Sequence, residues 1–328
     1  NKRDMDVGLD VIIIDEAQDL SLLQWAAARQ LAFGSKRVYI AGDDDQSIYD
    51  FLGAAEYAFL DYPCDATTVL DRSYRCPEVI GRYATSIITK LARRQEKDVT
   101  WATHEGSVRF RPALNLQEVY RASHTGSVMI LCRHNYHVAE ISQELGRAGV
   151  SHVAKKSALA TSNRTLGILA YRQLQKGHSV DRGDVVAMFA SLGDSGNARS
   201  IRANIAVDRY KASDLEGQMS FDRDWKSLWG RTQHEKVLNA QLIRLIQKNG
   251  IEIVGQEPAI SVTTMHGSKG LEADHVFALA DCSTRVDDAC ARRLPSEVRL
   301  AYVATTRSRR TLTIVRSQKR NEMRLLYR

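Results

Sequence analysis

Short apolar runs alternate with amphipathic stretches along the first half of the chain, and this alternation predicts a parallel α/β sheet. Residues 11–14 (VIII) form a continuous β-branched run, which is typical of a strand buried on both faces. A similar run lies at 37–41, and the Leu- and Ala-rich stretch 20–33 between them predicts a crossover helix. The first segment therefore predicts a strand–helix–strand unit.

The same alternation continues further along the chain. Residues 68–70 predict a strand, and Pro77 is placed to open a helix. The apolar residues 128–131 predict another strand, followed by a helix that ends before Gly149. These elements again predict a parallel sheet.

A different pattern occupies residues 157–255, which are polar, helix-like and interrupted by glycines. Strand-like runs resume at 260–264 and continue at 276–279 and 311–315. We therefore predict a mostly helical subdomain inserted into the second sheet.

Composition narrows the class of protein only slightly. A chain of 328 residues exceeds the usual size of one domain, so we expect two. The formal net charge of +7 permits a polyanionic partner, although proteins that bind none often carry a similar excess. The five cysteines show no spacing typical of zinc ligands or a disulfide framework, which favours a reducing cytosolic setting. No apolar run approaches the length of a bilayer span, so a soluble protein is expected.

An acidic cluster, DEAQD at residues 15–19, directly follows the first predicted strand. A carboxylate at the C-terminal edge of a strand can hold Mg²⁺, and its neighbour can activate water for phosphoryl transfer. On this interpretation Asp15 is the metal ligand and Glu16 is the general base. The alternative is a strand that ends in solvated acids.

A second cluster, GDDDQSIYDFLGA at residues 42–54, follows the second predicted strand. Its three adjacent carboxylates, those of Asp43, Asp44 and Asp45, repel one another. Such a turn is either a solvated loop or a site in which a metal ion, an arginine or backbone donors compensate the charge. A solvated loop is the expectation.

The two clusters resemble motifs II and III of superfamily 1 helicases of the UvrD/Rep/PcrA group. Three further blocks resemble later motifs of that family, in the same order: LDRSYRCP at 70–77, VTTMHGSKGLEADHVFAL at 262–279 and VRLAYVATTRSRRTLTIV at 298–315. The five blocks span nearly the whole chain. The resemblance implies an α/β fold with two RecA-like parallel-sheet lobes of the P-loop NTPase type, the first incomplete and the second carrying a helical insertion.

The resemblance also implies domain boundaries. Residues 1–66 correspond to the C-terminal part of the first RecA-like lobe, with motifs II and III. Residues 67–156 and 256–328 correspond to the second lobe, with motifs IV, V and VI. Residues 157–255 correspond to the inserted, mostly helical subdomain.

Nucleotide contacts are implied for five residues. Gln46 corresponds to the sensor of the γ-phosphate, and Arg75 and Arg307 correspond to arginine fingers. A planar guanidinium suits that role because it forms paired hydrogen bonds to phosphate oxygens and stabilises charge that grows in the transition state. Tyr74 resembles the tyrosine that stacks on adenine, and Glu272 resembles the residue that accepts the ribose hydroxyl. Without the motifs, the arginines would be interpreted as surface residues and the tyrosine as packing.

Contacts with single-stranded DNA are implied for the motif III aromatics Tyr49 and Phe51, and for His266 of motif V. Stacking suits a translocating motor because every base presents a π-face. The sequence departs from the family here, since Phe51 replaces the usual tryptophan and Leu52 a frequent arginine. We therefore expect a weaker grip on bases. Ser73 also stands where asparagine is common, a change that we expect to matter less.

The phosphate-binding loop of the family, G-x-x-x-x-G-K-[ST], does not occur in these 328 residues. Residues 267–270 (GSKG) do not replace it, because their lysine precedes a glycine and the stretch belongs to motif V. We expect this chain to be the larger, C-terminal part of a helicase. It is then inactive alone and depends on the missing N-terminal lobe region in cis or in trans.

The resemblance implies an ATP-dependent 3′–5′ DNA helicase or single-stranded DNA translocase, with ATP and Mg²⁺ as cofactors. The expected partners are single-stranded DNA and duplex junctions, with no membrane, in a cytoplasmic, nucleoid-associated setting of DNA repair or replication. Two alternatives stay open. One is a non-enzymatic, helicase-derived DNA-binding or regulatory module. The other is a metal-dependent nuclease that uses the carboxylates of Asp43, Asp44 and Asp45.

Overall fold

The computed structural model describes residues 8–154, 157–292, 294–317 and 321–327, and the chain divides into two compact units. Unit 1 consists of Asn1–Asn115, Gly126–Asn135 and Thr263–Arg328. Unit 2 consists of Leu116–Thr125 and Tyr136–Val262. The chain therefore passes from unit 1 into unit 2 twice and returns each time. The lobe boundaries given above stay predictions.

Strands and helices are mixed along the chain, as in an α/β protein. The strands are β1 (Val11–Ile14), β2 (Arg37–Ile40), β3 (Arg72–Pro77), β4 (Thr100–Ala102), β5 (Ser107–Arg111), β6 (Val128–Cys132), β7 (Val153–Ala154), β8 (Ser157–Ala158), β9 (Val180–Asp181), β10 (Arg209–Tyr210), β11 (Ile260–Thr264), β12 (Ala273–Leu279) and β13 (Ser308–Val315). The helices are α1 (Leu22–Leu31), α2 (Glu56–Leu60), α3 (Glu78–Ile88), α4 (Leu116–Ala122), α5 (Asn135–Arg147), α6 (Asn163–Gln175), α7 (Arg182–Ser191), α8 (Ser195–Ala203), α9 (Trp225–Leu228), α10 (Gln233–Asn249), α11 (Thr284–Ala291) and α12 (Pro295–Thr305).

Four parallel strands form the main sheet of unit 1, in the order β5-β13-β12-β6. Every residue of β6 is buried, and so are most residues of β12. Helices α3 and α12 add apolar side chains to the same core, among them Ile80, Ile87 and Leu300. Parallel strands that are covered on both faces need continuous apolar runs, which explains the sequences of β6 and β12. The predicted α/β fold with parallel strands is confirmed, and it is consistent with RecA-like lobes.

The prediction of a buried strand at 11–14 is wrong in one respect. β1 does pair with β2 in parallel, as the pattern predicts. However, the side chain of Ile13 is 72% exposed. A small cluster around Trp25 packs only against Ile14 and Ile40 of the two strands. A pair of strands that is covered on one face cannot give both faces the burial that a continuous apolar run predicts.

The strand predicted at 68–70 is also wrong. The regular strand is β3, which begins at Arg72 and pairs in parallel with β4. The side chain of Leu70 is exposed instead of buried. In β3 partly buried and exposed side chains alternate, so its polar residues give a weaker signal than the apolar triplet before it. Pro77 does precede α3 directly, as predicted.

Unit 2 is mainly helical. Its apolar core joins side chains of α6, α7, α8 and α10, and its largest buried side chains include Tyr171, Phe189 and Trp229. Short antiparallel pairs, β9 with β10 and β7 with β8, connect the helices. Side chains fix helix starts, since the Ser162 hydroxyl accepts a hydrogen bond from the Thr165 amide at the beginning of α6. No helix within the described ranges is both long and apolar enough to cross a membrane.

The close approach of α6 and α7 depends on Gly167. A methyl group at this position would lie 2.7 Å from the Cα of Met188 and 3.1 Å from the carbonyl oxygen of Ala187. Backbone atoms cannot turn aside as the end of a side chain can. We therefore expect Gly167→Ala to lower the free energy of unfolding by about 1–3 kcal/mol, measured by chemical denaturation followed through tryptophan fluorescence.

Gly183→Ala is the matched control. Gly183 lies in α7, and no heavy atom lies within 4 Å of the added carbon. Because alanine favours a helix over glycine, this variant should be as stable as the wild type or more stable by up to about 1 kcal/mol. Equal losses of stability in the two variants would contradict the packing explanation.

Candidate functional site

The turn after β1 presents two exposed acids, Asp15 and Glu16. The Asp15 carboxylate accepts a hydrogen bond of 2.8 Å from the Glu16 amide. Glu16 has a φ of 50°, a left-handed conformation that no other non-glycine residue adopts among the described ranges. Such conformations cluster at functional sites, so the backbone marks Glu16 as a candidate independently of its motif.

Gln18 connects this turn to the second acidic cluster, a role that the sequence analysis did not assign. Its side chain is fully buried, and its carbonyl oxygen accepts a hydrogen bond of 2.9 Å from the Asp43 amide. Its backbone oxygen accepts another, of 3.1 Å, from the Ser47 hydroxyl. A β-carbon added at Gly42 would lie 2.5 Å from the side-chain oxygen of Gln18, which explains why glycine stands there. In the sequence, the only signal for this role of Gln18 is its place in the DEAQD motif at residues 15–19.

The solvated loop expected for the three adjacent acids is wrong. Asp44 and Asp45 are buried, and the segment after α3 neutralises the cluster. The Lys97 ammonium contacts all three carboxylates: Asp43 at 2.6 Å, Asp44 at 2.7 Å and Asp45 at 2.9 Å. Arg94 donates paired hydrogen bonds of 2.8 Å and 2.6 Å to Asp45. A metal-dependent nuclease needs these oxygens for metal ions, and Lys97 occupies them.

Gln46 lies next to the acidic turn and contacts Arg307. Its amide nitrogen donates a hydrogen bond of 2.7 Å to Asp43, and its oxygen accepts one of 3.3 Å from Arg307. Arg307 is 1% exposed, and its Nε donates to the carbonyl oxygen of Val303 at 2.9 Å. Burial and the nearby Arg75 guanidinium lower the pKa of Arg307 to about 10, so it stays charged at neutral pH. The structure thus brings two predicted site residues, from motifs III and VI, into contact.

A second pair of predicted site residues, Arg75 and Glu272, forms an ion pair. The Nε of Arg75 lies 2.5 Å from the Glu272 carboxylate, which also contacts Arg309 at 3.2 Å. The hydrogen bond from Arg75 lowers the pKa of Glu272. Tyr74 is 77% exposed, and the Arg72 guanidinium lies 5.2 Å from the centre of its ring. Most of the tyrosine predicted to stack on adenine is therefore accessible, and the Arg72 guanidinium lies over its ring.

Lys269 is a further cation of the site that the sequence analysis passed over. Its Nζ contacts Asp19, and it lies 3.3 Å from the Glu16 carboxylate and 3.1 Å from the Gln46 carbonyl oxygen. It also lies 5.2 Å from the centre of the Tyr49 ring. Motif V is thereby tied to motifs II and III. In the sequence, the signal for this role is a lysine inside the motif V block at 262–279.

The three residues predicted to contact DNA form a row of rings. Tyr49 and Phe51 have ring centres 6.1 Å apart, and Phe51 and His266 have centres 5.4 Å apart, both edge to face. Phe51 is 65% exposed. An exposed aromatic held between two other rings is a suitable platform for a base.

Two family descriptions match the sequence around these motifs. Residues 3–66 match the UvrD/REP helicase N-terminal domain, and residues 226–319 match the UvrD-like helicase C-terminal domain. Both matches support a helicase of the UvrD/Rep/PcrA type. The first match contains motifs II and III, and the second contains the blocks at 262–279 and 298–315.

Curated relatives of this UvrD-type chain carry helicase names. The chain is 22% identical to the "Probable DNA helicase II homolog" of Rickettsia conorii, over 94% of this chain and 61% of that protein. It is 33% identical to the "ATP-dependent DNA helicase PcrA" of Bacillus subtilis, over 29% of this chain and 13% of that protein. The protein of the same name from Staphylococcus aureus gives 33% identity over 29% of this chain and 14% of its own length. The chain spans less than two thirds of each relative.

His266 is electrically neutral at physiological pH in this UvrD-type chain. Burial and the nearby Arg133 guanidinium lower the pKa of His266 to about 4. Arg133 is itself paired with Glu297 at 2.7 Å. A neutral imidazole can stack on a base or exchange hydrogen bonds, but it cannot neutralise a phosphate. The chemistry of His266 therefore suits contact with bases better than contact with the DNA backbone.

The low pKa of His266 predicts a pH-dependent stability. Because its folded-state pKa of about 4 lies below the ordinary value of 6.5, the unfolded chain takes up the proton first as pH falls. The stability that follows from the neutral ring is complete above about pH 6.5 and is lost as pH falls towards 4. His266→Asn should therefore show a shallower fall in unfolding free energy over this interval, measured by denaturant titration at several pH values. An NMR titration midpoint of His266 near its ordinary value would contradict this prediction.

Proposed function

We propose that this chain carries motifs II to VI of an ATP-dependent 3′–5′ DNA helicase, a single-stranded DNA translocase of the UvrD type. The observation that carries the proposal is the hydrogen bond between Gln46 and Arg307, which are 261 positions apart. These residues correspond to the γ-phosphate sensor and an arginine finger, and both roles require the two side chains to meet at one phosphate. The 3′–5′ direction and the partners, single-stranded DNA and duplex junctions, follow from the resemblance to the family.

Asp15 and Glu16 have the chemistry for Mg²⁺ and for water activation. Mg²⁺ prefers carboxylate oxygens and keeps several waters, and the exposed Asp15 at the strand end leaves room for a hydrated ion. When bound, Mg²⁺ neutralises charge on the phosphate oxygens. The Glu16 carboxylate accepts a hydrogen bond of 2.6 Å from the Gln18 amide, which orients it beside Asp15. We assign Asp15 to the metal and Glu16 to the attacking water.

Arg307 and Arg75 differ in their surroundings. The Arg307 guanidinium is buried and already directed at Gln46. Arg75 bonds Glu272 through its Nε, and its two terminal nitrogens carry the N–H donors that can contact phosphate oxygens. Glu272 also contacts Arg309, so the carboxylate assigned to the ribose hydroxyl is held between two guanidinium groups.

The pattern G-x-x-x-x-G-K-[ST] does not occur in the 328 residues. Phosphoryl transfer depends on positioning and charge neutralisation, which in this enzyme class need backbone donors and a lysine from that loop. We propose that a further segment supplies them in cis or in trans. The 328 residues alone then hold nucleotide poorly and do not hydrolyse ATP.

ATP hydrolysis tests the assigned catalytic residues in the protein that joins this chain to the phosphate-loop segment. Glu16→Gln should preserve Mg-ATP binding and nearly abolish turnover, because the amide keeps the shape of the side chain and loses the base. Arg307→Ala should lower the rate by about 10³–10⁵, the usual contribution of an arginine finger. The measurement is phosphate release with and without single-stranded DNA.

Arg82→Ala is the matched control, because Arg82 is an exposed arginine paired only with Glu78 on the same helix in the described contacts. Its rate should equal that of the wild type. A loss of less than about tenfold in Arg307→Ala would remove Arg307 from the catalytic set. Turnover by Glu16→Gln at the wild-type rate would remove Glu16.

Single-stranded DNA binding tests the row of rings in this chain alone. The double variant Tyr49→Ala/Phe51→Ala should bind more weakly, because stacking contributes about 1–3 kcal/mol per base. Fluorescence anisotropy with labelled oligonucleotides of different sequence measures the affinity. Tyr57→Ala, which removes an exposed aromatic outside the row, is the control. Equal affinities of the double variant and the wild type would overturn the assignment.

A further inference from the structure

We propose that Lys97 is a positioning residue that fixes the orientation of the Gln46 side-chain amide through Asp43. The inference rests on the proposed function for its consequence in ATP hydrolysis, but its structural part can be tested without it. Lys97 lies outside the motifs that single out the other site residues. Its role follows from a buried cluster of charges next to Gln46.

The three carboxylates of the acidic turn lie so close together that a cation is needed between them. Ligand atoms of Asp43, Asp44 and Asp45 all lie within 4.8 Å of one another, and two of the three side chains are buried. Three like charges at this separation repel strongly where water is excluded. Lys97 places one ammonium within 3 Å of all three, and its three N–H donors match the three acceptors.

The segment that carries Lys97 is fixed to the same turn by two further contacts. Arg94 makes paired hydrogen bonds to Asp45. The backbone amide of Gln95 donates a hydrogen bond of 2.8 Å to Asp44. The contacts of Arg94 and Gln95 therefore hold the segment before Lys97 against the acidic turn. Only 15% of the Lys97 side chain is exposed.

Asp43 transmits this arrangement to Gln46. One carboxylate oxygen of Asp43 contacts Lys97 at 2.6 Å and accepts the Asp45 amide at 3.1 Å. The other oxygen accepts the Gln46 amide nitrogen at 2.7 Å. A glutamine amide can turn either its nitrogen or its oxygen towards a neighbour, and an ionised Asp43 accepts only the nitrogen. The Gln46 oxygen is consequently left for Arg307.

Lys97 contacts neither Gln46 nor Arg307 in the described hydrogen bonds and ion pairs, so it acts through Asp43. Removing its charge leaves the three carboxylates uncompensated, so they move apart and Asp43 turns away from Gln46. The Gln46 amide then loses its fixed orientation. Lys97→Met removes the ammonium and retains an unbranched side chain, whereas Lys97→Arg retains a cation.

The first experiment uses this chain and selective ¹⁵N-glutamine labelling. The side-chain amide signals of Gln46, assigned with Gln46→Ala, should shift in Lys97→Met, and their exchange with water should rise by about tenfold. Lys97→Arg should stay close to the wild type. Lys36→Met, which removes an exposed lysine paired with Asp10, is the matched control and should change nothing. An unchanged Gln46 amide in Lys97→Met would overturn the proposal.

If Lys97→Met does not fold, Asp43→Asn tests the same connection, because it removes the carboxylate between Lys97 and Gln46. The Gln46 amide signals should then shift and their exchange with water should rise, as expected for Lys97→Met. Unchanged signals and unchanged exchange in folded Asp43→Asn would overturn the proposal.

The second experiment measures ATP hydrolysis in the protein joined to its phosphate-loop segment. Lys97→Met should lower kcat by about tenfold with little change in KM, and Lys97→Arg should restore most of the loss. In a Gln46→Ala background the same substitution should have little further effect, because Lys97 acts through Gln46. An equal loss in both backgrounds indicates a general structural role and would overturn the proposal. Absence of ATP hydrolysis in the wild type would overturn the proposed function, and the Gln46 amide signals then decide on Lys97.

Discussion

Buried negative charge is the constraint on which the rest of unit 1 depends. An ionised carboxylate that is removed from water costs several kcal/mol unless cations and hydrogen-bond donors compensate it. Asp44 and Asp45 are buried in this way, and the Lys97 ammonium lies within 3 Å of both. The compensation fixes the segment after α3 against the turn that follows β2. Because Gln46 and Arg307 meet at the end of the same turn, the geometry of the candidate site follows from how the charge is compensated.

The cations around the site already have partners within the chain. Arg75 is paired with Glu272, and Lys269 contacts Glu16 and Asp19. An incoming polyphosphate therefore competes with carboxylates for these groups and does not enter a field of unpaired positive charge. This arrangement keeps basic side chains ordered without nucleotide. It also couples motifs II, IV and V, since a change of partner at one of them leaves a carboxylate that another group must satisfy.

The core strands could be predicted from the sequence and the charge contacts could not. Continuous apolar runs fix β6 and β12, because a strand covered on both faces has few alternatives. The triplet at 68–70 is too short to decide which residues pair, and the strand forms in the polar residues that follow. Lys97 and Lys269 are missed for another reason. The partners of Lys97 lie up to 54 positions away, and those of Lys269 up to 250. The residues next to a lysine in the sequence do not indicate that its side chain is buried.

The left-handed backbone at Glu16 has a consequence for how this chain responds to engineering. A side chain with a β-carbon loses about 1–2 kcal/mol in this conformation, and glycine loses nothing. Glycine at position 16 relieves the backbone, but it also removes the acceptor of the buried Gln18 amide, a loss of similar size. The same replacement deletes the carboxylate assigned to the attacking water. A library ranked by melting temperature alone is therefore nearly blind to position 16, and inert proteins would pass through it unnoticed.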